Sequence, residues 1–279
     1  VPATYDPVTG TLTPTTPLAD GAHSITTTLT DAAGNESPQS AALPLTVDTA
    51  APAAPTGVTV TDDVAPVTGA IAANGASNDN KPTFAGAAGS AEAGSTITVM
   101  DGATVLGTAV VAADGSWSVT PTTALADGAH SITTRATDAA GNVSPVSPAL
   151  ALTVDTVAPT TTASVTAIQD DVGAITGTVA SGGVTDDTSL VVSGTLSTGL
   201  ITGERVRIYD GSSYLGDATV SGTSWTYADS RTLTAGQSVS YTARVSDPAG
   251  NQSAAGTAYT ATVDTVAPTT TASVTAIQD

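Results

Sequence analysis

An all-β chain of tandem sandwich modules is what this sequence predicts, and three observations predict it. A block of 18 residues, Thr153 to Asp170 (TVDTVAPTTTASVTAIQD), recurs letter for letter as Thr262 to Asp279, a spacing of 109. A shorter relative, LTVDTAAP at Leu45 to Pro52, opens a third copy, and self-similarity at a fixed period marks a tandem array. Thr, Ala, Val, Ser and Gly dominate while aromatic residues make up 3%; β-branched residues favour strands, and Gly and Pro punctuate turns. The period of 107 to 109 residues lies near the commonest size of one domain.

Composition then limits the partners. Twenty-five acidic residues stand against 6 basic ones, for a net charge of -19. That field makes nucleic acid and anionic lipid poor partners and cations good ones. No cysteine is present, which removes disulfides and thiolate metal sites. No apolar run of about 20 residues exists to span a bilayer. The chain opens without methionine, partway into a repeat, and reads as an internal fragment.

Repeat 3 shows the elements in order. After the joint, alternation over Thr160 to Ile168 predicts strand A, and the glycine-rich segment Gln169 to Thr188 reads as a long loop. Leu190 to Thr195 reads as strand B and Val206 to Tyr209 as C. The Asp210-Gly211 pair marks a hairpin into strand D, Tyr214 to Val220. Strand E surrounds Trp225, F is Val239 to Val245, and G is Ala258 to Val263, after the turn Asp247 to Asn251. Seven strands at this turn spacing predict tandem seven-stranded immunoglobulin-like β-sandwiches in an elongated array. The boundaries follow: 1–48 is a partial repeat, 49–155 and 156–264 are complete repeats, and 265–279 is the first strand of a further one.

The signatures VDTVAP, DDVG, TDD, G-x-x-W and D-x-AGN-x-S resemble the bacterial Ig-like repeats of giant calcium-dependent surface adhesins, including RTX-type proteins exported by type I secretion. The resemblance covers essentially the whole chain. It implies an extracellular stalk on the bacterial cell surface, made rigid by calcium at its joints, that serves adhesion or biofilm formation. The nonapeptide calcium repeat of RTX secretion regions is absent from this sequence, as is any recognisable ligand-binding tip.

The residues themselves supply a calcium argument. In a seven-stranded sandwich the A-B loop lies at the outgoing end of a module, beside the joint aspartate, and the next module offers its F-G loop there. At the joint between repeats 2 and 3 the candidates are Asp62, Asp63, Asn78, Asp79, Asp155, Asp247 and Asn251. At the following joint they are Asp170, Asp171, Asp186, Asp187 and Asp264, and at the first joint Asp48, Asp138 and Asn142. Six to eight oxygens from such groups suit calcium. The same Asp-x-x-Gly-Asn and Asp-Asp stretches also build Asx turns.

Other residues read as structural. His23 and His130 fall where repeat 3 has Val239 and are expected to pack on strand F. Trp117 and Trp225 are expected as core plugs. Arg205, Arg207, Arg231 and Arg244 read as solvated strand faces. No catalytic serine-histidine-acid arrangement recurs and no phosphate-binding glycine loop precedes a helix, so the chain is not expected to be an enzyme. The expected partners are the neighbouring repeats of the same chain. Two alternatives stay open: a matrix or sheath fibre that associates laterally or end to end, and spacer modules of a large secreted enzyme acting on polysaccharide.

Overall fold

The computed structural model describes residues 2–273, and no helix occurs among them. Repeat 1 contributes β1 (Ala3–Asp6), β2 (Thr11–Pro14), β3 (Gly21–Ile25) and β4 (Leu43–Val47). Repeat 2 contributes β5 (Thr59–Asp62), β6 (Gly69–Ala70), β7 (Ala76–Ser77), β8 (Thr83–Gly86), β9 (Thr96–Asp101), β10 (Thr104–Val110), β11 (Trp117–Val119), β12 (Gly128–Thr137) and β13 (Leu150–Val154). Repeat 3 contributes β14 (Ala163–Asp170), β15 (Gly177–Val179), β16 (Gly183–Thr185), β17 (Val191–Leu196), β18 (Arg205–Asp210), β19 (Ser213–Asp217), β20 (Thr219–Ser221), β21 (Ser224–Ala228), β22 (Ser238–Ser246) and β23 (Tyr259–Val263).

The chain divides into two compact units, one of residues 1–61, 81–124 and 130–151, the other of residues 62–80, 125–129 and 152–279. In the first unit β1 pairs with β2 and β3 with β4. No residue from 2 to 50 is buried. The same unit holds the ladders β10-β9-β12 and β11-β8-β5 of repeat 2. Their inward positions Phe84, Ile97, Val99, Trp117 and Ile132 are almost fully buried.

The second unit contains all of repeat 3 as two five-stranded sheets, β15-β14-β17-β21-β20 and β16-β23-β22-β18-β19. Alternation places one side of each strand in the core: Val206 and Ile208 on β18, and Val239, Tyr241, Ala243 and Val245 on β22, as the two-residue period of a half-buried strand requires. On β14 the inward phase shifts between Val165 and Ala167, where the pairing with β17 carries a bulge. Trp225, Leu190, Val192 and Leu233 fill the centre.

Two expectations are corrected. The segment 169–188 is not simply a loop: β15 pairs with β14, and β16 pairs in parallel with β23 through Val184 and Thr262. Strand D is two pieces, since β19 pairs with β18 in one sheet and β20 pairs with β21 in the other. The equivalent of β14 in the final repeat would fall at 272–279, and of this strand residues 274–279 lie outside the described residues.

Candidate functional site at the inter-repeat joints

The joint motif Asp-Thr-x-x-Pro is built the same way each time. Its aspartate forms an Asx turn: Asp48 Oδ1 accepts from Ala50 N (3.0 Å), Asp155 Oδ1 from Val157 N (3.0 Å) and Asp264 Oδ1 from Val266 N (2.9 Å). Such a turn caps the outgoing strand and redirects the chain. The threonine is held from behind. Thr156 N and Oγ1 both donate to Asp127 Oδ1 at 3.0 Å, and Thr49 donates to Asp20 in the same manner, at 3.1 and 2.9 Å. Asp20 and Asp127 escaped sequence reasoning. The signal was there, in the identical ADGAHS at Ala19 to Ser24 and Ala126 to Ser131.

The F-G turn of the following repeat then reaches the joint. Asp247 Oδ1 accepts from Asn251 N (2.9 Å) and Oδ2 from Asn251 Nδ2 (2.8 Å). The same Nδ2 donates to the carbonyl of Asp155 at 2.7 Å, across the repeat boundary. At the first joint Asp138 holds Asn142 identically, and Asn142 Nδ2 donates to the carbonyl of Asp48 at 3.0 Å. The aspartate of Asp-x-x-Gly-Asn therefore orients the asparagine, and the asparagine makes the inter-repeat bond. A second link at the later joint runs from Asn78 N to Ala249 O (3.0 Å). Gly250, at φ +98°, lets the turn lie against Val67, whose Cβ would be 3.1 Å from an added methyl group.

The A-B acids brace the same end from inside. Asp62 and Asp79 are buried. Ser77 Oγ donates to Asp62 Oδ2 (2.6 Å) and accepts from Asp79 N (3.0 Å), while Ser77 O accepts from Asp155 N (3.0 Å). Repeat 3 repeats the device with Thr185 in place of Ser77: Thr185 Oγ1 donates to Asp170 Oδ2 (2.7 Å) and accepts from Asp187 N (3.1 Å), and Thr185 O accepts from Asp264 N (2.8 Å). Asp170, Asp186 and Asp264 line an open recess of about 300 Å³. Asp63 and Asp171 are exposed.

Against a hard cation the donor set is mixed. Every predicted group offers oxygen, and Asn78 Oδ1 is buried without a hydrogen-bond partner beside this end, which suits calcium. Yet Asp62 and Asp247 already spend both carboxylate oxygens on the protein. Among the described residues no three His, Cys, Asp or Glu side chains gather as a metal-holding group.

The asparagine latch has a pH signature. The Asn142 side-chain amide, with desolvation opposing and the Asn142 and Ala140 N–H groups adding, holds Asp138 below its ordinary 3.8. A depressed carboxylate contributes stability above its unfolded pKa and loses it as pH falls through the folded value. Asn142→Ala is thus expected to raise the Asp138 midpoint towards 3.8 in a carboxyl-carbon NMR titration. An unmoved midpoint would contradict the assignment.

Two other expectations need correction or support. His130 is not mere packing: its Nδ1 lies 2.7 Å from Asp101 Oδ2 with the ring only 10% exposed, and His23 Nε2 bonds to the Ala19 carbonyl (2.7 Å). The strand-start position accepts valine in repeat 3 because Arg231 there takes the corresponding aspartate, Asp210, at 2.9 Å. Trp117 and Trp225 are buried core residues, as expected.

No curated protein sequence matches the chain. Among solved structures, the fibronectin(III)-like modules of Clostridium thermocellum CbhA align at 19% identity and TM-score 0.44, over 74% of this chain and 94% of that one. A structure concerned with host cell surface retention of a 1.5-MDa bacterial ice-binding adhesin aligns at 20% identity and TM-score 0.31, over 88% and 75%. A tetra-tandem repeat from the extending region of a large adhesion protein aligns at 22% identity and TM-score 0.27, over 92% and 60%. The family model for the bacterial Ig-like domain matches residues 3–49 and 55–156, more than half of the 279, and the chain belongs to that family.

Proposed function

We propose that this chain is an extender segment of a large extracellular bacterial surface protein with an adhesive role, and that its joints are its working parts. Family membership and the sequence resemblance to adhesin repeats support the setting. The observation that carries the reading is the repeated bond from an F-G asparagine to a joint carbonyl, 3.0 Å at Asp48 and 2.7 Å at Asp155. Each repeat grips the backbone of the strand that delivers it. A binding or catalytic module would put its specific chemistry in a pocket, whereas here it lies at the hinge.

Calcium is the second part of the proposal. Asp62, Asp63, Asn78 and Asp79, with Asp155 and the F-G turn, would hold it at the later joint, and the cation would neutralise the facing carboxylates. With a dissociation constant of ~1 mM, as for extracellular modules, ~10 mM calcium would stabilise the joined state by about 1.4 kcal/mol.

The test is thermal unfolding and small-angle scattering of the whole chain in chelator and in millimolar calcium, with Asn251→Ala alongside. The expected result is a higher unfolding midpoint and narrower inter-repeat distribution with calcium, and a broader distribution in the variant under both conditions. Indifference to calcium would remove the cation and leave the latch. Indifference to Asn251→Ala would remove the latch, and with it the reading of the joint as the working part.

A further inference from the structure

Repeat 3 carries on its outer face something that repeat 2, built on the same scaffold, does not. Four of the chain's 6 basic residues and five of its 6 tyrosines fall in repeat 3. On the solvent side of the sheet, Arg205, Arg207 and Tyr209 of β18 lie beside Arg244 of β22 and Tyr214 and Asp217 of β19. At a spacing of 109, the matching positions in repeat 2 are Thr96, Thr98, Met100, Arg135, Val105 and Thr108. A sandwich of this family therefore folds without that set, and the fold does not account for it.

The arrangement is electrostatically unbalanced. Arg207 and Arg244 are directly opposite each other across β18 and β22, and like charges in that relation destabilise a sheet. Asp217 pairs with this row: it takes Arg205 Nη1 at 3.3 Å and the Tyr214 hydroxyl at 2.7 Å, and lies 3.8 Å from Arg207 Nε. Arg207 Nε is buried and makes no hydrogen bond. Arg244 has no carboxylate within ion-pair distance among the described residues. Both guanidinium groups lie against rings, Arg207 at 4.4 Å from the centre of Tyr214 and Arg244 at 5.9 Å from that of Tyr209, with the two rings 5.6 Å apart and tilted by 55°. Stacking of this kind orients the planar fork while leaving its edge for a carboxylate or sulfate. Next to the row, Arg205 and Arg207 also line a recess of about 120 Å³ with Ser246, Gly250, Asp247 and Val67.

We propose that this arginine–tyrosine face of repeat 3 is a binding surface for a short saccharide bearing carboxylate or sulfate groups. The guanidinium pair supplies the anion contact, and Tyr214, a residue 47% exposed, supplies an apolar platform for a sugar face. A long polyanion is disfavoured by the chain's net charge of -19, and so is a second copy of this chain. The inference goes beyond the extender reading and does not depend on it.

The test is calorimetric titration of the whole chain with tetragalacturonate and with a heparin-derived tetrasaccharide. Neutral maltotetraose and a hexaglutamate peptide serve as comparisons. Arg207→Thr and Tyr214→Val install the residues that repeat 2 already tolerates at those places, so the variants retain the fold, as circular dichroism would check. The expected result is binding of at least one charged saccharide, no response to maltotetraose or hexaglutamate, and affinity about tenfold or more weaker in Arg207→Thr, the size of one lost charged hydrogen bond. Binding of hexaglutamate as tight as that of the saccharide would overturn the proposal in favour of an acidic protein segment. Absence of binding by both charged saccharides, or binding that both variants leave unchanged, would overturn it outright.

Discussion

Asp229→Ala is expected to destabilise repeat 3 by about 3 kcal/mol, as the loss of one partner from a buried ionic network does. The Asp229 side chain is fully buried. It accepts from Arg231 N (3.0 Å), from Arg231 Nη2 (2.6 Å) and from the Tyr241 hydroxyl (2.6 Å). Burial by itself would push this carboxyl up, but the hydrogen bonds from Arg231 and Tyr241 outweigh it and hold the group below its ordinary value. Burial and then Asp229 push the Tyr241 phenol strongly up, so it stays a neutral donor. Alanine strands that hydroxyl inside the core and leaves Arg231 with Asp210 alone. Because Arg231 is 34% exposed, water recovers part of its charge, which places the effect at the lower end of the usual range for buried pairs, about 3 to 5 kcal/mol. Asp229's contribution is present above the unfolded carboxylate pKa and fades as pH falls through the lowered one. Urea unfolding followed by Trp225 fluorescence in a Trp117→Phe background reads it directly. A loss below about 1 kcal/mol would mean that the network behaves as a surface ion pair.

Gly194→Ala is expected to do comparable damage by filling space that does not exist. Gly194 on β17 is the cross-strand partner of Trp225 on β21, and a Cβ there would fall on the indole ring and on the Ser164 carbonyl oxygen. The ring could shift, but the carbonyl is fixed in the β14 ladder. The cost should reach about 3 kcal/mol, the upper end for overpacking. Gly86 faces Trp117 across β8 and β11 in the same way, so each tryptophan is a lid laid over a glycine. Trp225→Leu in the Gly194→Ala background should recover part of the loss, since residues in contact couple. If the two losses simply added, the glycine would be answering to the backbone and not to the indole.

Strands B, C, F and G of repeat 3 were legible because alternation of apolar residues between turn signals is a local property. Segment 177–185 was not: β15 and β16 are three residues each, rich in glycine, and exist because β14 and β23 offer edges to pair with. The break in strand D at Ala218 was equally hidden, since it reflects a change of sheet. At the joints, the structure brings the Asp-x-x-Gly-Asn turns against the joint carbonyls of Asp48 and Asp155. Their roles could not be read in the sequence, because whether Asp247 faces a cation or its own Asn251 depends on distances within a five-residue turn. Val67, more than 180 residues from Gly250 in sequence, sits against it only once two repeats meet. The arginine face was missed for a different reason. Arg207 and Arg244 are ordinary strand residues in isolation, and become a pair only through the register of β18 and β22.

The parallel match of β16 with β23 has a mechanical consequence. The chain enters repeat 3 ahead of β14 and leaves at Asp264, and β14 ends at Asp170, which shares a recess with Asp264. Traction on the two ends therefore draws β14 and β23 lengthwise in opposite senses. The rungs that resist are Gly183 to Ala261, Val184 to Thr262 and Thr185 to Val263, together with those of β14 against β17. Loaded along the strand, such rungs are strained together and not one after another, so the short parallel ladder would act as a shear clamp beneath the joint.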